Sequence, residues 1–138
     1  MPAVQYDITI EQGATYHFPR FRFGTLLVDD VGDPILDADG NQQIDVPRDF
    51  TGCKFRLQMR KDQKPTSDAI FTITSEDTNG GISIATDGAI VCVVPDEQTD
   101  AVSKPGYWDL KCYNLDGSED RLVEGKVLLS PAVTTDAP

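Results

Sequence analysis

The sequence lacks most of the residue patterns on which catalysis and cofactor binding depend. Its 138 residues include one histidine, His17, and contain no Gly-x-Ser-x-Gly elbow, no Walker loop and no Gly-x-Gly-x-x-Gly loop. A Ser-His-Asp or Cys-His arrangement would have to use His17, which lies among the aromatic residues of a predicted strand. We therefore predict that the protein is not an enzyme and that it uses no cofactor.

Cysteines and long apolar runs are also scarce. The three cysteines, Cys53, Cys92 and Cys112, have no Cys-x-x-Cys spacing, so we predict reduced thiols that act as small apolar core residues and not as zinc ligands. No apolar run is long enough to span a bilayer, and the first residues follow a strand pattern instead of an export signal. We expect the chain to be made in a cytosol and to bind no membrane.

Positive charge is the next scarce feature. The formal net charge is −11, from 12 Lys and Arg against 23 Asp and Glu, which disfavours binding to nucleic acid or to anionic lipid. One stretch departs from this trend, with Lys54, Arg56, Arg60, Lys61 and Lys64 close together. This basic stripe is either the solvated face of one strand or a docking surface for an acidic patch on a partner, which could be another copy of the chain.

The sequence is rich in period-two alternation, which is typical of half-buried strands. The clearest case is the stretch 106–134, in which Trp108, Leu110 and Cys112 point one way and an Asp-Gly turn lies at Asn114–Ser118. Further strands are predicted at Val4–Glu11, Tyr16–Phe18, Cys53–Arg60, Ala69–Thr74, Ile82–Ile84 and Ala89–Val94. In the first of them, Val4, Tyr6, Ile8 and Ile10 share one face and the other face is solvated. Pro19 interrupts the second, where we expect a bulge or an edge position. Ala89–Val94 is apolar on both faces, so we expect it at the centre of a sheet. One helical turn, capped by Asp96, is predicted between Pro95 and Lys104. These patterns predict a single all-β antiparallel sandwich over residues 1–134, followed by a polar tail at 135–138.

Residues 24–46 form an inserted hairpin or loop in this prediction. The stretch is apolar at Leu26, Leu27, Ile35, Leu36 and Ile44 although it lies outside the expected sandwich, and exposed apolar residues usually mark an interface. Its turn carries oxygen side chains at Asp37, Asp39, Asn41 and Asp45, which resemble a calcium loop. Gly40 and Arg48 do not fit an EF-hand, so we favour a hairpin turn and keep calcium as a weak alternative.

Three segments, taken together, resemble a family of small structural domains in tailed-phage tail and baseplate proteins, such as the N-terminal domain of the phage baseplate upper protein. The first is DFTGCKFRLQMR (49–60) and the second GGISIATDGAIVCVVPDEQTDAV (80–102). The third is GYWDLKCYNLDGSEDRLVEGKVLLSPAVT (106–134), which carries Gly-x-Trp-x-Asp-Leu, Asp-Gly and Arg-Leu-x-x-Gly-x-Val in that order.

The resemblance implies an immunoglobulin-like β-sandwich that assembles into virions and has no catalytic residues. We therefore expect a non-enzymatic virion structural protein in the tail, baseplate or fibre attachment, with other virion proteins and further copies of itself as partners. The expected contact residues are those apolar positions of the insertion together with Lys54, Arg56 and Arg60. One alternative is a capsid decoration or head-fibre protein. Another is a carbohydrate-binding or adhesin module, for which the only candidate aromatics are Tyr107, Tyr113, Phe21 and Phe23.

Overall fold

A computed structural model describes residues 3–64, 66–76 and 81–131, apart from the side chains of residues 25, 26 and 44–46. The predicted all-β sandwich is confirmed, its immunoglobulin-like identity stays a prediction, and the predicted tail at 135–138 lies outside the described residues. The elements in this part of the chain are β1 (Val4–Gln5), β2 (Ile8–Glu11), β3 (Tyr16–His17), β4 (Gly24–Leu26), β5 (Ile44–Pro47), β6 (Lys54–Arg60), β7 (Ala69–Thr74), β8 (Gly81–Ile84), β9 (Ile90–Val94), α1 (Asp96–Thr99), β10 (Gly106–Tyr113) and β11 (Glu119–Ser130).

The larger sheet has six strands, with β10 and β11 at its centre. β10 pairs antiparallel with β11 on one side and with β6 on the other, and β7 continues the sheet beyond β6. Trp108, Leu110 and Cys112 are buried on its inner face, so the predicted central hairpin is confirmed. The N-terminal strands β1 and β2 run parallel to β11. Three strand pairs of this sheet are therefore antiparallel and two, at one edge, are parallel.

The smaller sheet consists of β3, β9 and β8, with β9 in the centre, as the apolar residues on both faces of β9 predicted. Tyr16 is opposite Val94, whereas Phe21 is opposite Ile90, so the chain gains one residue between these two pairs. The extra residue falls around Pro19, which cannot donate a ladder hydrogen bond. The sequence predicted a bulge or an edge strand here, and both are found.

The two sheets enclose one apolar core. Trp108 of the larger sheet lies against Phe18 of the smaller one, with 4.8 Å between ring centroids. The indole Nε1 donates a 2.9 Å hydrogen bond to the carbonyl oxygen of Tyr6, which satisfies its one polar atom. Other core residues are Ile8, Ile10, Phe55, Leu57, Met59, Phe71, Ile73, Ile90, Val94 and Val127. Each fully buried side chain of this size stabilises the fold by about 1.5–3 kcal/mol.

Gly125 lets the N-terminal segment approach β11. A Cβ at Gly125 would lie 1.9 Å from the carbonyl oxygen of Tyr6, and the Tyr6 N–H donates a 2.8 Å bond to Glu124. The ladder is interrupted here, between β1 and β2. The predicted inward face consequently begins only at Ile8, and the prediction that Val4 and Tyr6 share it is wrong, because both are exposed.

Four five-residue turns share one hydrogen-bonding pattern. They lie at 29–33, 37–41, 85–89 and 114–118. In each turn the first residue donates its N–H to the fifth carbonyl, and a glycine in the fourth position donates to the first carbonyl. Gly32, Gly40, Gly88 and Gly117 have φ between +83° and +91°, which only glycine adopts readily. The predicted hairpin turns at 37–41 and 114–118 are confirmed.

The helix α1 lies within the predicted stretch and connects β9 of the smaller sheet to β10 of the larger one. Its N-cap is Pro95 and no side chain caps it, so the prediction that Asp96 caps the turn is wrong. The Asp96 carboxylate instead accepts a 3.0 Å bond from the N–H of the next residue, Glu97. The helix is held from its other end, where the buried Thr99 hydroxyl donates a 2.8 Å bond to the carbonyl of Ala14.

The three cysteines are free thiols, as predicted. Burial raises the pKa of Cys92 and of Cys112 to about 12, so both stay protonated at neutral pH and are poor nucleophiles. Cys53 is partly buried just before β6, and its thiol and that of Cys112 both donate to Asn114 Oδ1, at 3.6 and 3.5 Å. The predicted core role is confirmed for Cys92 and Cys112.

Candidate functional site

The outer face of the larger sheet carries a group of cations, which we call the cationic face. Its members, on β6, β10, β11 and the loop after β6, are Arg56, Arg60, Lys64, Lys111, Arg121 and Lys126. They line an open concavity of about 630 Å³ together with the acids Asp7, Asp62, Asp109 and Glu124. Six cations against four acids leave an excess of positive charge on this face, although the chain as a whole carries −11.

Cross-strand pairing places three of these cations side by side. Lys111 in β10 is opposite Arg56 in β6 and also opposite Arg121 in β11. Arg121 reaches this position because β11 has a bulge at Leu122. Neighbouring strands lie roughly 4.8 Å apart, and like charges in opposed positions destabilise a sheet. An anionic group bound over this row would therefore relieve repulsion.

Ion pairs offset part of this repulsion at Lys111 and at Arg121. Lys111 Nζ lies 3.9 Å from Glu119 Oε2. The Nε of Arg121 lies 3.3 Å from Asp109 Oδ2, and its Nη1 lies 3.2 Å from Glu124 Oε2. Burial raises the pKa of Asp109, while the charges of Arg121 and Lys111 act to lower it. Asp109 is thus a half-buried internal counter-ion that holds Arg121 in place.

The remaining cations are less compensated. The Arg56 guanidinium lies over the ring of Tyr113, 5.7 Å from its centroid. Within the described part of the chain, no carboxylate oxygen lies within 4.0 Å of the charged nitrogens of Arg56, Lys64 or Lys126. Their charges are therefore available to a ligand.

The chemistry of this face is electrostatic attraction and hydrogen bonding. His17 lies on β3 in the smaller sheet, opposite Val93, and so on the other side of the sandwich. No group of three or more His, Cys, Asp or Glu side chains in residues 3–64, 66–76 and 81–131 is placed to hold a metal ion. The same residues include no helix with the length and apolar character needed to cross a membrane.

The second candidate surface is the hairpin of residues 24–47, which we call the arm. Its base is the β4–β5 pair, and Leu27 extends the pairing by hydrogen bonds to Gln43 and Ile35. Every residue from 28 to 42 is exposed. The exposed residues include four large apolar side chains, Val28, Val31, Ile35 and Leu36, of which Val31 is 81% exposed. The arm is therefore a folded element whose residues 28–42 bury no side chain.

The arm is fixed to the body at its base. Arg48, which directly follows β5, donates a 3.0 Å bond to Asn114 Oδ1 and a 2.8 Å bond to Asp120 Oδ2. Its guanidinium also lies 4.9 Å from the centroid of the Phe50 ring, and Phe50 meets Phe23 edge to face. These contacts tie both ends of the arm to the core and to the β10–β11 turn.

The structure places the predicted contact residues on the arm and on the outer face of β6. On the arm, Ile35 and Leu36 are exposed and Leu27 is partly buried. Leu26 and Ile44 pair through their backbones, and their side chains lie outside the described part. Lys54, Arg56 and Arg60 lie on the outer face of β6. Lys54 forms an ion pair with Glu76, with 2.9 Å between Nζ and Oε1.

The calcium candidate lies in the second turn of the arm. Asp37 Oδ1 accepts hydrogen bonds from the N–H groups of Asp39 and Asn41, at 2.9 and 3.0 Å. These internal bonds are those of an ordinary Asp-initiated turn. The side chain of Asp45 lies outside the described residues, so the calcium site stays a prediction.

The four aromatic residues proposed for glycan binding do not share a surface. Tyr107 and Tyr113 line the cationic face, whereas Phe21 stacks on Trp108 at 6.2 Å and Phe23 packs on Phe50 at 6.2 Å. At most two of these four rings therefore face any one ligand.

Three members of the cationic face were not predicted from the sequence: Lys111, Arg121 and Lys126. The alternation of β10 marks Lys111 as outward-facing, so that residue could have been found. The position of Arg121 depends on the bulge at Leu122, and the juxtaposition of β6 with β10 depends on long-range pairing, which has no local signal.

Comparison with protein-family models and with curated proteins finds no match for this chain. The resemblance to phage structural domains therefore stays a prediction.

Proposed function

We propose that this protein is a non-enzymatic structural component of a tailed-phage particle, in the tail, the baseplate or the fibre attachment, and that it acts by rigid docking to neighbouring chains. The observation that carries the proposal is the arm, a folded and exposed hairpin that presents apolar side chains to solvent. Apolar groups concentrated in this way usually mark a protein–protein contact.

The construction of the arm supports docking with little rearrangement. Both of its turns are closed by internal hydrogen bonds, and Arg48 ties its base to the β10–β11 turn. An element that is already ordered loses less conformational entropy when it binds, which favours affinity. The order of motifs in segments 49–60, 80–102 and 106–134 supports the phage particle as the setting.

The proposal is tested by removing the arm from the protein in its parent particle. Thr25 and Val46 are direct cross-strand partners, so residues 26–45 can be deleted and the ends joined by an Asn-Gly turn. We expect a folded domain whose thermal midpoint changes by only a few degrees and which is absent from purified particles. Leu128→Ser, at a residue 54% exposed on β11, is the control that should enter particles normally.

Normal incorporation of the armless protein would show that the docking role is wrong. Antibody labelling of particles then locates the protein, and we expect label at the tail tip or fibre base. Label over the capsid would favour the decoration-protein alternative, and a complete absence of label would remove the virion proposal.

A further inference from the structure

We infer that the cationic face binds the arm of a second copy of this chain, so that copies associate head to tail. This inference rests on the proposed function, because it names one partner for the same docking element. It is carried by the charge complementarity of two surfaces that lie apart on one molecule.

The arm carries negative charge only. It contains no Lys or Arg, and its acids are Asp29, Asp30, Asp33, Asp37, Asp39 and Asp45. None of the carboxylates described in the arm forms an ion pair. Asp29 and Asp37 each accept two backbone bonds that close the turns. The carboxylates of the exposed Asp30, Asp33 and Asp39 are therefore available to a partner.

The cationic face offers matching chemistry. The row Arg56–Lys111–Arg121 spans two strand spacings, roughly 10 Å, which suits a turn carrying two or three carboxylates. The rings of Tyr107 and Tyr113 and the aliphatic stems of the Arg and Lys side chains also line the concavity. They provide apolar contact for Val31 and Leu36 of the arm.

The arm that binds the cationic face must belong to another molecule. No described side chain of the arm lines the concavity within one chain. The Arg48 contacts hold the base of the arm at the end of the larger sheet where β10 turns into β11. A contact between two different patches is heterologous, and it generates a closed ring or an open filament. Either form suits a component of a symmetric particle.

The first experiment measures the association of the full chain by sedimentation velocity. We expect the mean mass to rise beyond that of a dimer as concentration increases toward the millimolar range at about 0.1 M salt. Raising the salt to about 1 M shortens the screening length from about 10 Å to about 3 Å and should weaken the association.

A charge swap then identifies the two surfaces. One variant reverses the face with Arg56→Glu and Lys111→Glu, and the other reverses the arm with Asp30→Lys and Asp33→Lys. Each variant alone should associate at least about tenfold more weakly, because like charges then meet. A mixture of the two should regain association, because each arm again meets a face of opposite charge.

Matched controls carry the same change of charge elsewhere. Arg20→Glu with Lys104→Glu imitates the reversed face, and Glu97→Lys with Asp100→Lys imitates the reversed arm. All four are exposed residues outside both surfaces, so each control should associate like the unaltered chain.

The outcomes separate the inference from the proposed function. A chain that stays monomeric at every concentration overturns the inference, even if the armless protein is still excluded from particles, in which case the docking role stands and the partner is a different protein. Reversed variants that associate normally, or a mixture that does not regain association, also overturn it. Normal incorporation of the armless protein overturns the proposed function itself.

Discussion

The arm and the β10–β11 hairpin have the same turn and opposite environments. In the arm, the Asp37 N–H donates to Asn41 at 2.8 Å and the Gly40 N–H to Asp37 at 3.0 Å; the turn at 114–118 has the same two bonds, at the same distances. Yet β10 buries every second residue, whereas residues 28–42 of the arm are all exposed. The same turn hydrogen bonds close both hairpins. Whether a hairpin packs into the core depends on whether apolar residues alternate along its strands.

The two hairpins therefore contribute differently to stability and to binding. Strands β10 and β11 have ordered neighbours on both sides, and their inner residues form the centre of the core. The arm pairs with itself and meets the body mainly at its base. We expect substitutions in the first hairpin to change the free energy of unfolding and substitutions in the arm to change assembly.

The largest expected effect comes from removing the indole at the centre of the core. Trp108 is 2% exposed, and Trp108→Ala should lower the free energy of unfolding by about 3–5 kcal/mol, since it leaves a cavity between the sheets. Leu36→Ala, at a residue 52% exposed in the arm, should change it by less than about 0.5 kcal/mol. Chemical denaturation of both variants measures the difference. Equal decreases in the free energy of unfolding would show that the two hairpins contribute equally to stability.

Alanine substitutions at two glycines, one in β11 and one in the arm, compare the backbones of the two hairpins. Gly125→Ala should destabilise by about 2–3 kcal/mol, because its Cβ meets the Tyr6 carbonyl at 1.9 Å. A Cβ at Gly40 would meet open space, but the residue has a φ of +83°. Gly40→Ala should therefore lower the free energy of unfolding by about 1 kcal/mol. Thermal and urea unfolding test the order of the two effects. A larger loss at Gly40 would contradict the account.

Arg48 joins the two regions, so its removal tests whether the arm is anchored. Arg48→Ala should lower stability by about 1–2 kcal/mol, since Asn114 and Asp120 each lose a hydrogen bond. It should also speed hydrogen exchange in the arm while β10 is unchanged. Arg20→Ala, which breaks only the exposed pair with Asp87, is the control and should change stability by less than about 0.5 kcal/mol.

The smallest expected effect concerns Asp109 on the cationic face. Burial raises the pKa of Asp109 above its ordinary 3.8, so the folded protein keeps this proton at a pH where the unfolded chain has lost it. The contribution of Asp109 to stability therefore falls as pH rises from 3.8 to the raised value. Asp109→Asn should gain stability relative to the unaltered chain over that interval, by less than about 1 kcal/mol because solvent screens the group. An unfolding series from about pH 3 to pH 7 that gives a constant difference would show that the burial of Asp109 has no such effect.

Local patterns predicted much of this fold. Strand β7 lies at the predicted residues, β6 begins one residue later than predicted, and the turn at 114–118 follows from its Asp-Gly pair. These features depend on alternation and on the conformational freedom of glycine, which a single segment contains.

Features that depend on distant segments were not predicted. The parallel pairing of β1 and β2 with β11, and the exposure of Tyr6 that accompanies it, result from an approach that Gly125 permits. The basic stripe of β6 was predicted, but the row that Arg56 forms with Lys111 and Arg121 appears only once β6, β10 and β11 are paired. Cross-strand neighbours of this kind are set by tertiary structure.

Hydrogen exchange measured by mass spectrometry, on the free protein and on assembled particles, tests the central claim most directly. We predict that peptides from 28–42 exchange rapidly in the free protein and become protected in the particle. Peptides from β10 and β11 should be protected in both. Equal exchange of the arm in the two states would contradict the claim that the arm is the docking element.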